Sequence, residues 1–199
     1  MDINELENNF QKCLNDFFNK VYRQWYIYNY LFSSKENVEI LNSYENKIIM
    51  TLFQNSVSDS IILGIQRILD DTKNSKKINL TLHYFKQNLS KDTEKKIFGN
   101  KIKEIEVKFE KYKEYRHKKL GHSAAEYNGN ILIDEDIEII IKKIIEIFND
   151  YIEIFNFNEN KKLCFDGGIK FENKFGKDIV NDFIEDINSL TNKSHIYKS

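Results

Sequence analysis

The chain has no proline among its 199 residues and only seven glycines. Because proline interrupts helices and glycine supplies many sharp turns, such a chain favours long helices with few tight turns. Apolar residues recur at steps of three and four through most of the sequence, which is the period of a helix with one buried face. These features predict an all-α fold, an antiparallel up-and-down bundle joined by short loops.

The periodic stretches are separated by polar or glycine-bearing segments, which set the expected helix boundaries. Helices are predicted over residues 4–32, 35–71 with a kink near 42–44, 79–89, about 90–121, 134–155 and 177–190. We expect one domain over residues 1–199, with its core at about 5–155 and a C-terminal extension at about 156–199 that carries the additional last helix.

Composition excludes several classes of protein. Thirty basic side chains nearly balance 31 acidic ones, so nucleic-acid binding would need a local basic patch. The two cysteines lie far apart, and His83 and His195 lack ligand-spaced partners, so no disulfide framework, metal or cofactor is expected. The first residues are polar and acidic, and no apolar run approaches the ~20 residues of a membrane span. A cytoplasmic protein without membrane contact is therefore expected.

One short segment, residues 115–122, has the composition of a phosphate-binding and proton-transferring site. It contains two of the four histidines and one of the three arginines. The guanidinium of Arg116 can bind a phosphate through a planar fork of donors, and His122 can transfer protons near neutral pH. Lys118 and Lys119 add positive charge that would attract phosphate and lower the pKa of His122.

The position of Arg116 has more than one interpretation. A step of four from Tyr112 places Arg116 on the apolar stripe of its helix, so its charge either snorkels at the end of the bundle or lines a polar cleft. His122 follows six residues later, ~120° around a helix. A straight helix does not bring the two together, so a bend at Gly121 or a second subunit is required. The alternative is an ordinary basic helix end that complements the helix dipole.

Asp59, Arg67 and Asp70 form a second polar group, since their spacing places them on one helical face. One interpretation is a solvent-facing stripe with an intrahelical pair between Arg67 and Asp70 or Asp71. The other is a polar stripe that faces the cleft of Arg116 and orients its groups.

The heptapeptide at residues 116–122, RHKKLGH, resembles the signature of the HEPN superfamily: an arginine, a polar residue, four more residues and a histidine. Asp59 followed by residues 67–70, and then by Asn-Leu-Thr-Leu at residues 79–82, is similar to the AbiU-type abortive-infection branch. The resemblance covers about residues 5–190. Two positions depart from it, since Gly121 stands where members often have alanine and Ala124 where many have aspartate.

The resemblance implies a helical bundle that forms a homodimer in which two motifs meet. It also implies metal-independent RNA cleavage in a toxin–antitoxin or phage-defence system, with an antitoxin as a possible protein partner. His122 would be the general acid or base, Arg116 would stabilise the charged phosphate, and His117 would hold the geometry or transfer another proton. The supporting or substrate-binding residues would be Tyr115, His117, Lys118, Lys119, Asp59, Arg67 and Asp70.

Two alternatives stay open. The chain could be a non-catalytic HEPN module that binds RNA, a nucleotide or a protein partner. It could also be a helical interaction protein in which the Arg116 segment is an ordinary helix end.

Overall fold

A computed structural model describes residues 2–32, 34–43, 47–74, 77–115 and 135–157. The all-α expectation is confirmed, since helices form nearly all of the described structure. They are α1 (Ile3–Phe17), a π-helical turn (Phe18–Tyr22), α2 (Arg23–Phe32), α3 (Lys35–Ser43), α4 (Lys47–Leu69), α5 (Leu82–Gln87), α6 (Asp92–Tyr115) and α7 (Glu135–Ile154). The predicted helix at 177–190 and most of the proposed extension lie outside the described residues.

The N-terminal helices form one rod, as the apolar periodicity predicts. Asp2 caps its start, because the backbone amide of Asn4 donates to the Asp2 carboxylate at 3.2 Å. The helix continues through the π-helical turn into α2, so the predicted 4–32 helix is interrupted in hydrogen-bond pattern but not in direction. The predicted stripe is buried: Leu6, Phe10, Cys13, Leu14, Phe17, Val21, Trp25 and Tyr28.

The long helices alternate in direction. Helix α4 runs antiparallel to the rod, because the Gln54 amide donates to the Tyr28 hydroxyl at 3.2 Å, whereas Gly64 lies against Val21. Helix α7 is also antiparallel to the rod, since Phe17 contacts Phe148, whereas the earlier Phe10 lies near the later Tyr151.

Helix α6 runs antiparallel to α7 and therefore parallel to the rod. Phe98, near the start of α6, stacks on Tyr151 at 4.4 Å between ring centroids. Lys111, near its end, binds Asp136 at 2.6 Å. The end of α6, the start of α7, the end of α2 and the start of α4 consequently share one end of the bundle.

The core is rich in aromatic rings where the rod meets α5 and α7. The Phe10 ring is fully buried, with the Phe85 ring 5.3 Å and the Phe148 ring 5.7 Å from it, both edge-on. The buried Tyr151 hydroxyl donates to the Leu82 carbonyl oxygen at 3.0 Å, which satisfies its polar atom inside the core. This packing fixes the short helix α5 against α7.

The segment between α4 and α5 contains a small hairpin. Strands β1 (Lys73–Asn74) and β2 (Lys77–Ile78) are antiparallel, and the Asn79 amide donates to the Thr72 carbonyl at 2.9 Å. The Thr81 hydroxyl then accepts from the Tyr84 amide at 3.2 Å and caps α5, so the helix begins at Leu82 rather than at the predicted residue 79.

The predicted helix over 35–71 is two helices, with α3 ending at Ser43 and α4 beginning at Lys47. The apolar residues of α4 do not all share one face. Ile61 is buried, whereas Leu52 is 60 % exposed and Ile48 is 72 % exposed. Leu52 and Ile61 are nine residues apart, about two and a half helical turns, so their side chains point in opposite directions.

Helix α4 is also more apolar than the sequence analysis expected. Within the described ranges one helical stretch, Ile48–Leu69, is long and apolar enough to cross a membrane by length and composition alone, and 28 % of its apolar window is buried. This corrects the expectation that no segment approaches that length. Core helices pass the same criterion, and the second half of α4 packs in the core, with Ile61 and Ile65 fully buried.

Candidate functional site

The end of α6 and the start of α7 are joined by ion pairs. The Lys111 ammonium lies 2.6 Å and the Lys108 ammonium 3.4 Å from the Asp136 carboxylate. Tyr112 and Ile137, which follow Lys111 and Asp136 in their helices, are both buried. These contacts hold the end of α6 and the start of α7, the two helix ends that flank residues 116–134, at the same end of the bundle.

The motif itself begins one residue after α6 ends. Helix α6 extends to Tyr115, so the described structure places the start of the Arg116 segment at this end of the bundle. The side chain of Tyr115 and residues Arg116, His117, Lys118, Lys119 and His122 lie outside the described residues. The proximity of Arg116 and His122, and the roles assigned to these side chains, stay predictions.

Basic side chains near the end of α6 are largely compensated by acidic ones. Lys113 binds Glu110 at 3.0 Å, and Lys111 contacts Asp136 while lying 4.9 Å from the centroid of the Tyr112 ring. The hydrogen bond from Lys111, together with the charges of Lys111 and Lys108, lowers the pKa of Asp136, so this carboxylate is ionised at neutral pH. Among the described residues, these three lysines at the end of α6 therefore add little uncompensated positive charge.

The residues of the second predicted group, Asp59, Arg67 and Asp70, lie at different levels along α4 and its end. Asp59 and Asp70 are half-buried and Arg67 is exposed. Gln54 lies level with Tyr28 and Gly64 level with Val21, so Asp59 lies between those levels. Arg67 is eight residues farther along, about 12 Å from Asp59 toward the opposite end of the bundle.

Arg67 lines a small cavity between α4 and α1 rather than forming the expected intrahelical pair. Within the described part of the chain its guanidinium has no ion pair with Asp70 or Asp71, and the Gln66 amide donates to Asp70 at 2.7 Å instead. The cavity has a volume of about 40 Å³ and is lined by Cys13, Asp16, Lys20, Gly64, Arg67, Ile68 and Leu80. The predicted role of Asp59, Arg67 and Asp70 in orienting groups beside Arg116 stays a prediction.

His83 has partners that the sequence did not reveal. Its Nε2 lies 2.9 Å from a carboxylate oxygen of Glu106, and the Lys86 ammonium lies 3.4 Å from its Nδ1. Because a protonated lysine can only donate, Nδ1 accepts and Nε2 carries the hydrogen given to Glu106. The contact of Nε2 with Glu106 ties α5 to α6, whereas the contact of Nδ1 with Lys86 stays within α5. Twenty-three residues separate His83 and Glu106, so no local spacing could have predicted the contact.

Metal-ligating side chains are dispersed in the described structure. Within residues 2–32, 34–43, 47–74, 77–115 and 135–157, no three His, Cys, Asp or Glu side chains are close enough to hold a metal ion.

A sequence model of the HEPN family described as AbiU2 matches residues 4–167, a span that runs from the first turn of α1 through α7 and contains Arg116 and His122. No curated protein and no solved structure matches the chain significantly.

Proposed function

Because the chain belongs to the AbiU2 family of HEPN proteins, we propose that it is a metal-independent endoribonuclease of a toxin–antitoxin or phage-defence system. The family itself indicates a nuclease or an abortive-infection module. The observation that supports the finer proposal is the position of the Arg116 and His122 motif directly after α6, between two helix ends that Lys111 and Asp136 hold together.

The reaction follows from the chemistry of the two motif side chains. A neutral His122 takes the proton of a ribose 2′-hydroxyl, and O2′ attacks the adjacent phosphorus. The bond from phosphorus to the 5′ oxygen breaks, and that oxygen gains a proton from a protonated imidazole. Arg116 stabilises the extra negative charge on the phosphate in the transition state. The products are a 2′,3′-cyclic phosphate and a 5′-hydroxyl end.

The same chemistry restricts the substrate. The 2′-hydroxyl must align opposite the leaving oxygen, which a regular duplex prevents, so single-stranded or looped RNA is the expected substrate. With a net charge of −1, the chain as a whole does not attract RNA, so the local charge of residues 116–119 would supply the attraction. Binding is therefore expected to weaken steeply with salt.

Cleavage of a single-stranded RNA by the full chain in excess EDTA tests the proposal. Arg116→Ala and His122→Ala should each lower the rate at least ~100-fold, and Arg116→Lys should restore little because it lacks the planar fork. Lys103→Ala, an exposed lysine on α6, is the matched control and should change the rate less than about twofold. A 2′-deoxy substitution at the cut site should abolish cleavage.

Two results would contradict the proposal. One is a folded Arg116→Ala protein that cleaves as fast as the wild type, and the other is cleavage that disappears in EDTA. Binding of RNA without cleavage, with no growth defect on overproduction, would instead support a non-catalytic HEPN module. The departures at Gly121 and Ala124 are the observations that favour this alternative.

A further inference from the structure

The start of α4 carries an apolar surface on its outer side. Four residues within two helical turns form this surface, which we call the α4 patch: Ile48 (72 % exposed), Ile49 (50 %), Leu52 (60 %) and Phe53 (37 %). Single exposed apolar residues are common, but a contiguous group usually marks a contact surface. Met50, on the other side of the same turns, packs with Leu31 and Leu41. The start of α4 is therefore held in place from one side and open on the other.

The outer side of α4 changes from apolar to basic along its length. Steps of three and four lead along this side through Leu52, Ser56, Ser60, Leu63 and Arg67. Residues 48–58 contain no charged side chain, whereas Arg67 is exposed and lines the cavity beside Cys13. Asp59 lies at the flank of this side, is half-buried and already has a partner. A segment that fits this surface has an apolar face and negative charge near Arg67.

A segment of the C-terminal extension has this character. The predicted helix over residues 177–190 carries its apolar side chains at helical spacing: Ile179, Val180, Phe183, Ile184, Ile187 and Leu190. Against one lysine, Lys177, it also carries four acidic side chains: Asp178, Asp182, Glu185 and Asp186. The family match ends at residue 167, so it assigns no role to this segment.

We propose that residues 177–190 dock as an amphipathic helix along the outer side of α4, antiparallel to it. Leu190 then lies over Leu52, and Ile179 lies over Leu63. Eleven residues separate Leu52 from Leu63, and eleven separate Ile179 from Leu190. Both separations correspond to ~16.5 Å along a helix, so the two apolar contacts form together.

The direction of docking follows from where the described chain ends. The Phe157 ring lies 5.2 Å from the Phe10 ring between centroids, at the end of the bundle where the rod begins. Arg67 lies toward the same end, because its cavity includes Cys13. A helix that enters from this end has Asp178 in its first turn, level with Arg67, and opposite charges attract. Its last turn then covers the α4 patch.

The connection favours this segment over a second copy of the chain. Residues 158–176 are nineteen residues and span up to ~60 Å when extended, which exceeds the ~35 Å length of α4. Such a tether holds the segment at an effective concentration on the order of millimolar. At equal affinity, a second copy at micromolar concentration would compete about a thousandfold less well.

Thiol labelling of the full chain in a Cys164→Ser background tests whether the α4 patch is covered. Leu52 is 60 % exposed and Val107, on α6, is 69 % exposed. Leu52→Cys and Val107→Cys should therefore react with iodoacetamide equally fast unless a further segment covers Leu52. We expect Leu52→Cys to react at least ~10-fold more slowly, because its labelling requires the docked helix to leave. Cys13 does not interfere because it is buried.

Two substitutions in the segment identify what covers Leu52. Phe183→Asp places a charge in the apolar face and should bring the Leu52→Cys rate to within about twofold of the Val107→Cys rate. Asn181→Asp adds the same charge on the polar side of the predicted helix and is the matched control, with a change of less than about twofold. Circular dichroism verifies that the variants fold. The protection should not depend on protein concentration, because the cover belongs to the same chain.

Paired cysteines test the direction of docking. In the Cys164→Ser background, Leu52→Cys with Leu190→Cys should form a disulfide within one chain under mild oxidation, and so should Leu63→Cys with Ile179→Cys. The crossed pairs, Leu52→Cys with Ile179→Cys and Leu63→Cys with Leu190→Cys, are the controls and should stay reduced.

Several results would overturn the inference. They are equal labelling of Leu52→Cys and Val107→Cys, protection that Phe183→Asp leaves unchanged, and disulfides that form only in the crossed pairs. Protection that rises with protein concentration would assign the α4 patch to a second copy, and protection that requires lipid vesicles would assign it to a membrane. None of these measurements involves RNA, so the inference and the proposed function can fail separately.

Discussion

The Lys111 ammonium lies 2.6 Å from the carboxylate of Asp136 and connects the penultimate turn of α6 to the first turn of α7. Asp136 also carries its charge at the N-terminal end of α7, where a carboxylate interacts favourably with the helix dipole. Residues 116–134 begin and end within a few residues of this pair. A contact between two helices thus also sets the spacing of the two ends of the segment that holds Arg116 and His122.

A double-mutant cycle should measure the coupling between these two side chains. Lys111→Met and Asp136→Asn are expected to interact by about 0.5 kcal/mol in urea unfolding, the range of half-exposed ion pairs. Asp136→Asn should cost more than Lys111→Met, because Asp136 also contacts Lys108 at 3.4 Å. Equal costs for the two substitutions with no coupling would show that the pair does not hold the helices together in solution.

The same carboxylate should make stability depend on acid pH. The pKa of Asp136 is lowered in the folded protein by its hydrogen bond from Lys111, and that of Glu104 by its hydrogen bond from Lys143. A lowered folded pKa stabilises the protein above the unfolded values, 3.8 and 4.5, and this stabilisation is lost as the pH falls through the folded pKa.

Urea unfolding of the wild type and of Asp136→Asn between pH 7 and pH 2 measures this effect. The two free energies of unfolding should differ most above about pH 5 and converge at the acid end of the range. A constant difference across the range would mean that the ionisation of Asp136 does not contribute.

Helix periodicity predicted the parts of the fold that depend on local sequence. The apolar stripe from Leu6 to Tyr28 is buried as expected, because steps of three and four keep side chains on one face. In α4, Leu52 is exposed and Ile61 is buried, because two and a half turns place them on opposite faces. Apolar character alone did not reveal which face of α4 meets the core.

Contacts between distant segments could not be predicted from the sequence. Twenty-five residues separate Lys111 from Asp136, and each lies on a helix with several other charges. The pairing of His83 with Glu106 depends in the same way on how α5 packs against α6. The family, by contrast, was recognisable from the order of short motifs, whereas the roles of Arg116 and His122 stay predictions because these residues lie outside the described structure.

Gly64 allows α4 to approach the rod closely, and Gly64→Ala should therefore destabilise the protein. An added Cβ would lie 2.5 Å from Val21 Cγ2 and 3.1 Å from the Lys20 carbonyl oxygen. Alanine gains about 1 kcal/mol in helix propensity, but overpacking a buried contact costs about 1–3 kcal/mol. We expect a net loss of about 1 kcal/mol in the free energy of unfolding.

Val21→Ala provides the matched test, because it removes the methyl group that an alanine at position 64 would meet. The double variant should be more stable than the sum of the single effects by about 1 kcal/mol, since neighbouring substitutions couple. Additive effects would contradict the steric explanation, and a stabilised Gly64→Ala variant would show that the helices can separate at little cost.

Cys13 should be chemically inert until the protein opens. Its side chain is 3 % exposed, and its thiol donates to the Leu80 carbonyl oxygen at 3.3 Å. Burial, with a smaller contribution from the charge of Asp16, raises the pKa of the thiol to about 12, so almost no thiolate exists at pH 8. In a Cys164→Ser variant, where Cys13 is the remaining thiol, iodoacetamide should label the unfolded chain rapidly and the native chain only through opening.

Gly64→Ala in that Cys164→Ser variant serves as an internal calibration, because the atoms that its added Cβ would meet belong to Val21 and Lys20. If labelling requires global opening, the rate should rise about tenfold for each 1.4 kcal/mol of lost stability. Labelling that is fast in native buffer would place the thiol in contact with solvent. Labelling that is slow but indifferent to Gly64→Ala would mean that a local movement of Leu80 and its hairpin, rather than unfolding of the bundle, exposes Cys13.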